Sequence, residues 1–233
     1  MSRRLLGALI VTAWALFFDW LWASGEALRY VGPRTSWVVP FGAISLSVAA
    51  AVALAGAARV GGGLRATGRD AAGSLLTLSP IALVLVLPAA SLGAQAASVK
   101  DAPDAARSIT GRAVARHTPL TLADVAAANV SAEFARKRGV LPGRRIAIKG
   151  LVSKEPSGGV LRLTRFTSSC CAADALALHA PVRLPPAQAR KRYPLDQWLA
   201  IEGKLARNPA GGLLIEATQA TPIPEPDNPY EAI

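Results

Sequence analysis

The side chains best suited to chemistry in this 233-residue chain are Cys170 and Cys171, its only two cysteines. They stand side by side in Arg165-Phe166-Thr167-Ser168-Ser169-Cys170-Cys171-Ala172-Ala173-Asp174-Ala175. A disulfide between neighbours closes a small, strained ring and is easily reduced. Three readings of the pair follow. The cysteines are small apolar residues packed at the end of a strand, because unreactive cysteine is among the most buried residue types. Or they bind a soft metal ion such as zinc, with Asp174 and His179 as further ligands. Or they form a labile redox pair. The zinc reading lacks the Cys-x-x-Cys spacing of structural zinc sites. Neighbours on a strand also point to opposite faces, so joint ligation requires a bend at 170–171.

The rest of the inventory argues against catalysis. The sequence has no serine nucleophile motif, no paired catalytic carboxylates, no phosphate loop and no HExxH helix. Its only histidines are His117 and His179, and His117 reads as a solvated residue in a linker. The expectation is a chain that is not an enzyme, with no catalytic residue assigned.

The elements that would position the cysteines fall into two parts. Residues 1–97 hold seven Lys/Arg and three acids (Asp19, Glu26, Asp70), whereas residues 98–233 hold nineteen and twelve. A composition break this sharp marks a domain boundary. Three apolar stretches, about 5–23, 36–58 and 74–97, approach or exceed the roughly 20 residues needed to cross a hydrocarbon core of about 30 Å. Each can satisfy its backbone in lipid only as a helix. A cleaved signal peptide is the rival reading of the first stretch, but two more spans follow at once.

Positive charge sets the expected orientation. Arg3 and Arg4 precede the first helix, and Arg59, Arg65 and Arg69 fill the loop after the second. The first loop has only Arg29 and Arg34, offset by Glu26. The N-terminus is therefore expected in the cytoplasm and the C-terminal domain outside it. Trp20, Trp22, Tyr30 and Trp37 gather around the outer loop as an interfacial aromatic belt. Asp19 is the one ionisable residue inside a span, about 21 Å along the helix from Leu5, near the outer interface. Ser45, Ala49, Ala53 and Ala57 form a small-residue ladder that would allow close approach of a partner helix.

Residues 98–120 read as a tether. Thr121, with Asp124 three positions on, opens a helix that Gly139 closes. After Pro142-Gly143 the apolar period changes from 3.6 to 2. Strands are expected near 146–152, 160–166, 180–184, 198–205 and 213–217 (or 213–223), with turns at Gly158-Gly159 and 208–212. Five short strands after one helix suggest a small, partly open, OB-fold-like barrel within a β-rich domain, 121–233. The Pro-rich end, 222–230, is an extended tail or docking strap.

The formal net charge is +11. A domain outside the cytoplasm has no nucleic acid to meet, and the short basic runs, such as Arg190-Lys191-Arg192, read as solvated surface.

Five markers give the chain a family resemblance. They are Leu28-Arg29-Tyr30-Val31-Gly32-Pro33-Arg34; Pro80 to Pro88 with Leu92-Gly93; Arg165-Phe166 with Ser169 to Ala175; Trp198 to Gly203; and Asn228-Pro229-Tyr230. With these the sequence resembles the YcgQ-like family of two-component membrane permease subunits. Ser168 departs from the aliphatic residue expected before the Ser-Cys-Cys run. The resemblance implies a small subunit in the lipid bilayer that works with a larger polytopic membrane permease. It singles out Cys170, Cys171 and Asp174 without giving them a role.

Overall fold

A computed structural model describes residues 2–59, 64–86, 92–100, 103–111 and 119–231. His117, Pro88 and parts of the expected tether lie outside the described residues. The chain divides into two compact units, Met1–Ala90 and Ser91–Ile233.

In the first unit, α1 (Arg3–Ser24), α2 (Val38–Arg59) and α3 (Gly68–Val86) are each long and apolar enough to cross a membrane. Small side chains let α1 and α2 approach closely. Ala8 and Ala15 of α1 are buried, as are Ala43 and Ala50 of α2. Gly42 lies under the Phe18 ring, where a Cβ would stand 3.3 Å from two ring carbons. Asp19 accepts a hydrogen bond from Ser47 Oγ at 3.0 Å, so this carboxylate has a partner on the neighbouring helix. Of the ladder, Ser45 and Ala49 are exposed and Ala53 and Ala57 half-buried.

Helix α3 begins six residues before the uncharged stretch. Asp70 accounts for the early start. Its Oδ2 accepts from the Thr67 amide and hydroxyl at 2.8 Å each, holding the first turn. The Arg3 guanidinium grips the same carboxylate, Nη2 to Oδ1 at 2.6 Å and Nε to Oδ2 at 2.9 Å. The starts of α1 and α3 are thereby tied together. An acid in a first helical turn also faces the positive end of the helix dipole.

The second unit opens with α4 (Ala94–Val99), so residues 94–97 belong to it and not to the third apolar helix. Next comes α5 (Pro103–Thr110), within the stretch expected as tether. The single helix expected at 121–139 is two: α6 (Leu122–Val130) and α7 (Ala132–Arg138). Thr121 and Asp124 make the expected capping box. Ser131 ends α6 and caps α7, its Oγ accepting from Phe134 N at 3.2 Å. Gly139 ends α7 with φ 74°, the left-handed conformation that glycine adopts without strain.

Five strands follow: β1 (Arg145–Ser157), β2 (Val160–Thr167), β3 (Leu176–Arg183), β4 (Trp198–Arg207) and β5 (Leu213–Ile223). They close a barrel in the order β1-β2-β3-β5-β4, so the barrel is closed rather than partly open. The closure depends on a short parallel pairing of β3 with β5, at Val182–Ile215 and Arg183–Glu216. All other pairings are antiparallel. This is the OB-type arrangement expected from the strand pattern.

Alternation puts Ile146, Ile148, Leu161, Leu163, Leu199 and Ile201 inside the barrel, joined by Leu122, Val125 and Phe134 of the helical cap. A second, smaller cluster lies outside the barrel wall. Leu151, Phe166, Ala177 and Trp198 are covered there by Ala94 and Ala97 of α4 and by Tyr230 of the tail. Ala94 and Ala97 are apolar because they cover this patch.

Candidate functional site

The two cysteines sit in the loop between β2 and β3, and the loop's own chemistry fixes its shape. The Asp174 carboxylate, at the end of a 3-10 turn over Ala172–Asp174, folds back on the segment before it. Its Oδ2 accepts from Cys170 N at 2.9 Å, and its Oδ1 from Cys171 N at 3.3 Å. Ser168 Oγ lies 2.6 Å from Oδ1 and 2.8 Å from the Cys171 carbonyl, so one proton serves both. Burial alone would raise this carboxyl, but the hydrogen bonds from Ser168, Cys171, Cys170 and Ser169 prevail and hold it below the usual range. Asp174 is thus the clasp of the loop.

The outer side of the loop is held by α4. Lys100 Nζ donates to the Ala173 carbonyl at 3.0 Å and to the Ala172 carbonyl at 3.3 Å. Cys170 is exposed, Cys171 half-buried, and neither is in a disulfide. Cys171 raises the Cys170 thiol by its charge and, after burial, by a side-chain hydrogen bond, with Asp174 adding a smaller push.

Beneath the loop runs the tail. Tyr230 pairs with Phe166, and Glu231 N donates to the Phe166 carbonyl at 2.7 Å. Burial, then the neighbouring Cys171 and Asp174, push the Tyr230 phenol up to about 12, so it stays protonated. Arg165 lies over the Trp198 ring, 5.4 Å from its centre, and its Nη2 donates to the carbonyls of Asn228 (2.9 Å) and Tyr230 (3.2 Å). The Glu231 carboxylate accepts from Leu122 N at 2.9 Å, giving α6 a further cap. Burial raises the Glu231 carboxyl, against the opposing pull of Arg165 and of these helix amides. The tail is a docked strap.

Of the four residues expected to ligate a metal, Cys170, Cys171 and Asp174 share one loop. His179 is on β3, its Nδ1 2.6 Å from Thr164 Oγ1. Among the described residues, no group of three or more His, Cys, Asp or Glu side chains is arranged to hold a metal ion. Zinc sites take three or four protein ligands of this kind. The residue that sequence reasoning passed over is Lys100. Nothing in its type marks it, because its role arises only when α4 meets the loop. Ser168 stood out only as a departure from the family pattern, and its bonds to Cys171 and Asp174 are local.

A family model for the DUF1980 C-terminal domain matches residues 101–231. The chain belongs to the DUF1980 family. No curated protein matches it significantly. The DUF1980 domain contains α5 to α7, all five strands, the cysteine loop and the strap to Glu231. The three long apolar helices precede it, as does α4, which supplies one wall of the outer cluster.

A groove of about 560 Å³ runs beside the strap, walled by Lys149, Arg165, Glu202 and Glu231 over a floor of Ala147 and Ala200. Among the described residues that line it there is no cysteine, histidine or serine.

Proposed function

We propose that this DUF1980 protein is a non-catalytic accessory subunit of a membrane permease complex. The helices anchor it in the bilayer beside a larger polytopic permease. The barrel domain lies outside the cytoplasm, where it gates the partner or presents substrate to it. The observation that carries this reading is how little of the apolar helices is covered within the chain. None of the described side chains of α3 is buried, and α2 exposes Phe41, Ile44, Val48 and Val52. Such surfaces need lipid or another membrane protein. Arg3, Arg4, Arg59, Arg65 and Arg69 support a cytoplasmic N-terminus by the positive-inside rule. The exposed Ser45 and Ala49 suit close packing of a partner helix.

The test is purification of the full chain in mild detergent from the cells that make it. The expected result is stoichiometric recovery of one polytopic membrane protein, weakened when Ala49 is replaced by Leu. Recovery of a clean monomer, with no partner after cross-linking in the membrane, contradicts the proposal.

The cysteine loop favours a second reading: a membrane-tethered module that binds a soft metal or exchanges thiols, as a chaperone or sensor. Its support is that the loop is clasped from within and from α4 while it carries two adjacent cysteines outside any disulfide, Cys170 exposed and Cys171 half-buried. The two readings merge if the permease carries a metal.

A further inference from the structure

Where α1 ends and α2 begins, the chain that joins them walls a cavity of about 360 Å³. Most of its lining comes from Leu21 and Trp22 in the last turn of α1, Leu28 and Val31 in the connection, and Trp37 and Pro40 around the start of α2. Gly25 and Ala27, which carry little or no side chain, leave the space open. The connection pairs its own backbone. Tyr30 N and Val31 N donate to the Ala27 carbonyl, Thr35 N to Gly32 and Val38 N to Thr35, each at 3.0 Å. Ser36 also lines the cavity, but its hydroxyl donates to the Pro33 carbonyl at 2.9 Å. The wall therefore offers hydrocarbon and aromatic rings rather than directed polar groups. Its volume lies in the range of about 300–1,000 Å³ usual for ligand sites.

Position decides what can enter. Both helices are long and apolar enough to cross a membrane, and the cavity lies at their joined ends. Trp22 is 53% exposed and Trp37 63%. Exposed tryptophans at the ends of membrane helices mark the level of the lipid headgroups, with acyl chains on one side and phosphates on the other. The connection carries two arginines against one acid: Glu26 Oε2 holds Arg29 at 3.4 Å, and Arg34 is exposed between Val31 and Ser36. That charge complements a phosphate. We infer that this cavity binds one anionic phospholipid of the adjoining leaflet, an acyl chain packed against Leu28, Val31 and Pro40 and the headgroup beside Arg34. Lipid tails are as apolar as these side chains, so burial alone selects nothing. Fit of the chain and charge on the headgroup make the selection. The inference needs α1 and α2 in a bilayer and does not depend on a permease partner.

The full chain, delipidated in mild detergent, is mixed with phosphatidylglycerol or with phosphatidylcholine and followed by native mass spectrometry. One phosphatidylglycerol per chain is expected, held about fivefold more tightly than phosphatidylcholine, because one arginine at a lipid surface contributes about that factor. Arg34→Gln should remove the preference. Ala27→Leu and Val31→Trp fill the cavity and should each weaken retention about tenfold or more, the effect of even one methylene in an apolar pocket. Val48→Trp adds bulk on the exposed face of α2 and should leave retention unchanged. A phosphatidylglycerol with a photoreactive acyl chain tests the wild-type chain without any substitution and should attach within residues 21–40. No retained lipid, retention unaffected by both fillings, or cross-links only outside 21–40 overturns the inference. Equal retention of the two lipids overturns the anionic headgroup.

Discussion

Asp124→Ala is expected to destabilise the barrel domain by about 3–5 kcal/mol, the usual cost of stranding one member of a buried ion pair. Arg138 has 2% of its side chain exposed and Asp124 5%. Two parallel hydrogen bonds of 3.0 Å join them, Nε to Oδ1 and Nη2 to Oδ2, and Nη2 also reaches the Pro119 carbonyl at 3.0 Å. Asp124 is in addition the return arm of the Thr121 capping box. The alanine variant removes the cap and leaves the Arg138 guanidinium buried without its counter-ion. Hydrogen exchange of the α6 and α7 amides in the full chain should show the loss first. Asp124→Ala/Arg138→Met should recover part of it, since an apolar pair avoids the stranded charge. A loss below about 1 kcal/mol, the range of exposed pairs, would show that this pair does not hold the helical cap.

Gly203→Ala should be comparably severe, for a steric reason. A Cβ at position 203 would stand 2.2 Å from the Glu216 carbonyl oxygen and 2.9 Å from Ala217 Cα. These are backbone atoms of β5 and cannot rotate away. The register between β4 and β5 shifts between Glu202 and Gly203, so the strands meet most tightly where the bulge turns them. Relief requires β5 to move, and β5 also makes the parallel pairing that closes the barrel. The expected cost is about 3 kcal/mol or more, at or above the upper end for overpacked sites. Thermal unfolding of the full chain measures it against Gly73→Ala, where nothing among the described residues lies within 4 Å of the added carbon. Equal melting temperatures for the two variants would contradict the close approach.

What the sequence made legible was local. Alternating apolar residues mark the strands, and Thr121 with Asp124 marks the start of α6. The break at Ser131 was hidden because Val130 and Phe134 continue the apolar spacing across it, and a serine there signals a cap only once the chain has turned. Residues 94–97 resemble membrane sequence because Ala94 and Ala97 are buried, and composition does not say against what. Closure of the barrel depends on β3 meeting β5 across the intervening β4, a long-range event without a local signal. The site was half legible. Adjacent cysteines stand out by type, whereas Asp174 reads equally as ligand or clasp until its oxygens are seen to accept backbone amides.

The proposal that this DUF1980 protein holds its barrel domain outside the cytoplasm can be tested with its own residues. Cys170 is exposed, and the chain has no cysteines besides Cys170 and Cys171. Intact cells, mildly reduced and treated with a membrane-impermeant maleimide, should label the wild-type chain as fully as permeabilised cells do, and should not label the Cys170→Ser/Cys171→Ser variant. Labelling that appears only after permeabilisation would place the barrel in the cytoplasm and overturn the orientation on which the accessory-subunit proposal stands.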